Sequence, residues 1–228
     1  MTLYVFGDSL SYGWNFVDQV SDQHRREMCW PHMLANKLGM DLVDYTFPGC
    51  SNWRMARIIQ NLEFKKDDLV VIQLAGFDRM ETGVHPNYEY NSYTLDKYEI
   101  VDKPIEEFGV IVKGMCKTFL TRTSDKFFRK YLYHAYNTFW NEKWHMEINK
   151  IMITSMLYNL SDTKFIMFDG WVKNCADDEF VMPQYVLRRT NLLDSVNGDK
   201  YMTYGQHQSA ADIIEREYNR LYNGLQSS

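Results

Sequence analysis

One run dominates the folding of this chain. Asp68-Leu69-Val70-Val71-Ile72-Gln73-Leu74 carries five apolar residues with no polar alternation. A strand that is half-exposed alternates, whereas an unbroken apolar run of this length fits a parallel sheet covered by helices on both faces. Other segments supply its neighbours. Leu3–Phe6 is a short β-favouring run broken by Gly7-Asp8-Ser9, Met40–Phe47 is a second strand ended by Pro48-Gly49, and Lys164–Phe168 is another. Between them, Trp30–Gly39 reads as a helix, with Pro31 in its first turn and Gly39 at its end, and Arg54–Leu62 reads as a second. Strand, helix, strand, helix, strand is the order of an α/β fold with right-handed crossovers. The expected architecture is a three-layer α/β/α sandwich of the flavodoxin type around a small, mostly parallel sheet. With 228 residues the chain fits one domain, 1–228.

The rhythm changes after the third strand. Residues 79–163 read as a loop and helical insertion, or lid, between strands three and four. Within it, residues 81–103 are rich in Tyr, Asn, Asp and Glu and read as a long loop, and Pro104–Leu160 reads as helical. Leu132, Tyr136, Phe139, Lys143, Met146, Lys150, Ile153, Leu157 and Leu160 recur at spacings of four and three, enough for a helix of about eight turns. That stripe either packs on the sheet, covers a cleft, or makes an oligomer contact through residues 128–160. Ser209–Leu225 reads as a last amphipathic helix, with Ile213, Ile214, Tyr218 and Leu221 inside.

Composition narrows the partners. A net charge of −5 offers no basic field for a phosphate backbone, so no nucleic acid is expected. The sequence has no apolar run of about 18 residues and no basic, apolar leader at its start, so neither a membrane span nor a signal peptide is expected, and the location stays open between cytoplasmic and viral. Cys29, Cys50, Cys116 and Cys175 are widely spaced with no CxxC pair, which argues against a disulfide framework. His134 and His145 lack a partner at zinc-motif spacing, and His24 and His32 beside Cys29 read as a polar loop, so no metal and no cofactor is expected. Arg25-Arg26 and Arg188-Arg189 read as solvated pairs. Tyr88, Tyr90, Tyr93, Tyr98, Trp140, Trp144 and Trp171 either pack or stack on sugar rings.

Chemistry is suggested by Phe6-Gly7-Asp8-Ser9-Leu10. A serine on a tight turn at the carboxyl end of a strand projects its hydroxyl into the crevice and offers its own N–H to a developing oxyanion. Three later segments fall in register with it: Pro48-Gly49-Cys50-Ser51 after the second strand, Ala75-Gly76-Phe77-Asp78 after the third, and His207 near the C-terminal helix. Together these resemble the SGNH (GDSL) hydrolase family, over residues 3–78 and 199–222, including the Trp30-Pro31 helix start. The Trp-Pro and Pro-Gly-Cys-Ser-Asn forms also look like bacteriophage members of that family.

The resemblance implies an ester hydrolase acting through an acyl-serine, with Ser9 as nucleophile and His207 as general base on the loop before the last helix. It implies Ser9 and Gly49 as oxyanion donors. Small-molecule or carbohydrate esters are the implied substrates, an acetylated carbohydrate first among them. Two positions depart from the pattern. Phe77 stands where the family has the oxyanion asparagine, a loss worth about 10²–10³ in turnover in other hydrolases. Tyr204 stands where the family has the aspartate that orients the histidine, worth about 10⁴ in the serine-protease template. Three readings remain open: a Ser–His dyad oriented by a backbone carbonyl or by another acid such as Asp199, Asp194 or Asp78, with Asn52 or Arg79 as substitute donor; a specialised hydrolase whose substrate completes the site; and a non-catalytic binding or structural protein on the same scaffold. Gln73, inside the strand, is passed over as a substitute donor.

Overall fold

The computed structural model describes residues 1–16, 19–47, 50–76, 79–83, 108–112, 142–169, 186–187 and 202–224. The strands are β1 (Thr2–Gly7), β2 (Asp41–Thr46), β3 (Leu69–Leu74), β4 (Arg79–Gly83), β5 (Phe108–Val112), β6 (Lys164–Asp169) and β7 (Val186–Leu187). The helices are α1 (Ser9–Tyr12), α2 (Asp22–Glu27), α3 (Trp30–Leu38), α4 (Asn52–Gln60), α5 (Glu142–Asn159) and α6 (Tyr204–Tyr222).

The main sheet has the order β2-β1-β3-β6-β7, and every adjacent pair is parallel. From β1 the chain crosses first to β2 on one side and then to β3 on the other, so the strand order reverses between β1 and β3. In open α/β sheets that reversal opens a crevice beyond the carboxyl ends of the two strands. Gly7-Asp8-Ser9 leaves β1 at that place, and Gln73-Leu74-Ala75 leaves β3 beside it.

Side chains alternate across the central strands and feed two cores. Leu3, Val5, Leu69, Val71, Ile166 and Phe168 face Trp30 and Leu34 of α3 and Ala211, Ile214 and Tyr218 of α6. Phe6, Val70, Ile72, Leu74 and Met167 face Met55 and Ile59 of α4 and Ile153 and Met156 of α5. Both faces of β3 are therefore buried, as its unbroken apolar run requires.

Helix ends follow local chemistry. Gly39 closes α3 at φ 63°, a left-handed conformation that glycine adopts without a Cβ clash. The Ser51 hydroxyl accepts from Arg54 N–H, which starts α4 at Asn52, two residues before the Arg54 expected from sequence. Thr203 N–H donates to Gln206 Oε1 at 2.7 Å in a capping box, which starts α6 at Tyr204. The sequence expectation began that helix at Ser209. Its first turn was missed because the signal is the polar Thr203/Gln206 pair and carries no apolar period.

Other differences concern the insertion. Residues 81–83, expected in a loop, lie in β4, and residues 108–112, expected to be helical, lie in β5; the two strands pair antiparallel. Phe108-Gly109-Val110-Ile111-Val112 is rich in β-branched residues, which favour strand, and its glycine disfavours helix. Helix α5 covers the second half of the expected eight-turn stripe, and residues 84–107 and 113–141 lie outside the described residues. Its inward face is His145, Asn149, Ile153 and Met156, about one residue round from the predicted Met146, Lys150 and Leu157. Leu221, expected inside, is 49% exposed. Among the described residues no helix is long and apolar enough to cross a membrane.

Candidate active site

Ser9 is the first residue of α1, which begins directly after β1. The turn that carries it is held on both sides. Asp8 N–H donates to Gln73 Oε1 at 3.1 Å, and Asp8 Oδ1 accepts from Leu10 N–H at 2.9 Å. Ser9 itself is 6% exposed, and among the described residues neither its hydroxyl nor its N–H makes a hydrogen bond. Its neighbours are fixed, while no described residue engages its own reactive groups.

Beneath this turn lies a buried polar chain. The Trp30 indole N–H donates to Ser11 Oγ at 3.0 Å, the Ser11 hydroxyl donates to Gln73 Oε1 at 3.0 Å, and Gln73 Nε2 donates to the Leu74 carbonyl at 2.7 Å. Trp30, Ser11 and Gln73 are all essentially inaccessible to solvent. Gly7 is required here by close approach. A Cβ at that position would stand 2.7 Å from Ser11 Oγ and 3.1 Å from Gln73 Oε1.

His207 is buried in the first turn of α6, not on a loop before it. Its Nδ1 accepts from the backbone N–H of Trp30 at 3.2 Å, and its ring lies 5.6 Å from that of Phe16. Among the described residues its Nε2 has no hydrogen-bond partner, and none joins His207 to Ser9. Burial alone pulls its pKa down to about 3, so the ring is neutral in ordinary conditions. A neutral imidazole carries one proton. With Nδ1 acting as acceptor, that proton stands on Nε2. In this geometry His207 is a donor at Nε2, the opposite of the tautomer a serine's general base needs.

Tyr204 is the opening residue of α6 and is 45% exposed, so it does not substitute for an acid behind the imidazole. Asn52 does not supply the missing amide either. Its two N–H bonds go to the Ala75 carbonyl at 3.1 Å and Asn149 Oδ1 at 2.7 Å, while its Oδ1 accepts from Ala75 N–H at 2.9 Å. These bonds tie α4, the end of β3 and α5 together inside the protein. The expectation of Asn52 as a substitute donor fails because its donors are already used.

Comparison with known proteins gives a limited result. No family model and no curated protein matches this chain. Solved structures do. It is similar to a protein described as lipolytic, of the G-D-S-L family, from Desulfitobacterium hafniense DCB-2, at TM-score 0.45 and 10% identity, over 94% of this chain and 98% of that one. It is similar, at TM-score 0.45 and 11% identity, to a family two carbohydrate esterase from Clostridium thermocellum in complex with cellohexaose, over 98% of this chain and 65% of that one. A further carbohydrate esterase, whose active site is described as having divergent catalytic and non-catalytic binding functions, matches at TM-score 0.44 and 10% identity.

Gly49, Phe77, Asp78, Asp194 and Asp199 lie outside the described residues, as do His134 and Arg188-Arg189. Arg25, expected in solvent, is 3% exposed. Its guanidinium donates to the Tyr12 carbonyl, pairs with Asp22 at 2.7 Å and lies 3.6 Å from the centre of the Tyr12 ring. Cys29 donates to the Arg25 carbonyl at 3.0 Å, and burial pushes its thiol up to about 12, so it is a packed thiol. Among the described residues no three His, Cys, Asp or Glu side chains are placed to hold a metal ion. Sequence reasoning missed Gln73, Ser11 and Asn149. For Gln73 the signal was present: it is the one polar residue within the strand Leu69–Leu74.

Proposed function

We propose that this chain is a serine-type hydrolase of carboxylic esters. Ser9 attacks the ester carbonyl, its proton passes to a base, the alcohol leaves protonated, and water then releases the acid from the acyl-serine. The observation that carries this reading is the state of Ser9. At the crevice between β1 and β3, its hydroxyl and its N–H are both unengaged among the described residues, on a turn whose flanking residues are pinned. A nucleophile and an oxyanion donor have to be uncommitted and fixed in place at once. Gly49 is the proposed second oxyanion donor, and Asp78 and Asp199 are the proposed orienting acids.

An acetylated carbohydrate is the proposed substrate class. Supporting it, Trp144 is 48% exposed near the start of α5, the helix whose Asn149 bonds Asn52 beside the end of β3. An exposed indole at that edge offers a stacking face to a sugar ring.

A second reading has its own observation. Because His207 Nδ1 is taken by Trp30 N–H, the resting protein holds no base against Ser9 among the described residues. A binding protein on the same scaffold would keep this arrangement, with Ser9 contacting a ligand without reacting. Steady-state hydrolysis of a panel of acetyl and short-chain esters separates the two. Turnover by the wild type that falls at least about 10³-fold in Ser9→Ala supports the enzyme. Equal rates from both proteins contradict it. Loss in His207→Gln as well makes the imidazole the base after it releases Trp30.

A further inference from the structure

We propose that Gln73 is the positioning residue of the Ser9 turn. A carboxamide inside the central strand of a sheet is costly unless all its groups are bonded, and an aliphatic residue would fill the same space without that demand. Both bonds to the Gln73 oxygen serve the turn. Its Oε1 takes Asp8 N–H and the Ser11 hydroxyl together, and its Nε2 is spent on the Leu74 carbonyl. The amide cannot be reversed, because Nε2 in place of Oε1 would face the Asp8 N–H and leave the Leu74 carbonyl opposite an oxygen.

Ser9 thus sits between residues that are held from below. Asp8 is anchored through its N–H, Ser11 through its hydroxyl, and Leu10 through the Asp8 carboxylate. The bare Gly7 lets the turn settle onto the carboxamide at this range. Trp30 extends the hold. Its indole N–H reaches Ser11, and its backbone N–H reaches His207 177 residues away in sequence. One hydrogen-bonded chain therefore runs from β3 under the serine to α6. What the positioning serves rests on Ser9 being the reactive group; the hold itself does not.

The test compares wild type with Gln73→Met and Gln73→Glu by amide and indole hydrogen exchange, alongside the rate at which a fluorophosphonate probe modifies Ser9. In Gln73→Met, exchange of Asp8 N–H and the Trp30 indole N–H speeds by about tenfold or more, the factor that about 1.4 kcal/mol represents, while Val5 in β1 keeps its protection. The modification rate of Ser9 falls with it. In Gln73→Glu an oxygen acceptor for Asp8 N–H and the Ser11 hydroxyl remains whether the acid is protonated or ionised, so protection of Asp8 returns. Unchanged exchange at Asp8 in Gln73→Met overturns the proposal, and so does loss of protection at Val5 to the same degree as at Asp8. A wild type that takes up no probe, with the exchange pattern intact, sinks the acyl-serine reading and leaves Gln73 as the anchor of the turn.

Discussion

The backbone N–H of Trp30, at the start of α3, points at Nδ1 of His207 from 3.2 Å away. This contact decides the protonation chemistry of the imidazole. It consumes the Nδ1 lone pair and places the proton of the neutral ring on Nε2. In a nucleophilic triad the orienting group accepts from Nδ1, which leaves Nε2 free to take the serine's proton. Here the orienting group donates, and the polarity of the imidazole is reversed.

Nitrogen NMR of His207 therefore shows Nδ1 as the unprotonated ring nitrogen and Nε2 as the protonated one. Burial holds its pKa near 3, so this pattern does not change between pH 8 and about pH 4. A titration midpoint near 6.5, or a proton on Nδ1, contradicts the contact as described.

Acid stability follows from the same residue. The unfolded chain binds a proton on His207 near pH 6.5, whereas the folded chain refuses it until about pH 3. Between those values the unfolded state holds more protons, so stability falls as pH is lowered through the window, by up to about 1.4 kcal/mol per unit. Urea unfolding at pH 7, 5.5 and 4.5 should show this slope in the wild type and a flatter one in His207→Gln. Equal slopes would mean that the ring is not buried neutral.

Asn52 is expected to matter for stability and not for transition-state binding. Asn52→Ala removes three buried bonds, to the Ala75 carbonyl, to the Ala75 N–H and to Asn149 Oδ1, each worth about 0.5–1.5 kcal/mol. A loss of about 3 kcal/mol in chemical unfolding is the expected result. A stable variant that lost only ester turnover would restore Asn52 as an oxyanion donor.

The layers of this fold were legible because they depend on apolar runs. Val70, Val71 and Ile72 announced a doubly covered strand, and Pro31 and Gly39 bracketed α3. The Gly7-Asp8-Ser9 turn was readable for the same local reason, a strand ended by small polar residues. What stayed hidden depends on partners distant in sequence. Nothing near His207 says that Trp30 will meet its ring, and nothing near Asn52 says that Asn149 will take its amide. Tyr204 was read against a loop, but the Thr203/Gln206 capping box had already begun the helix and turned that side chain toward solvent. The β4–β5 pair was missed because its signal is β-branching in Val110-Ile111-Val112, which a count of apolar residues at helical spacing overlooks.

The most direct measurement is the intact mass of the folded protein after treatment with a fluorophosphonate serine probe, followed by peptide mapping. A Ser9 that is reactive gains one adduct, mapped to the segment around residues 7–12 and absent from Ser9→Ala. No mass gain, or an adduct that persists in Ser9→Ala, would contradict the account.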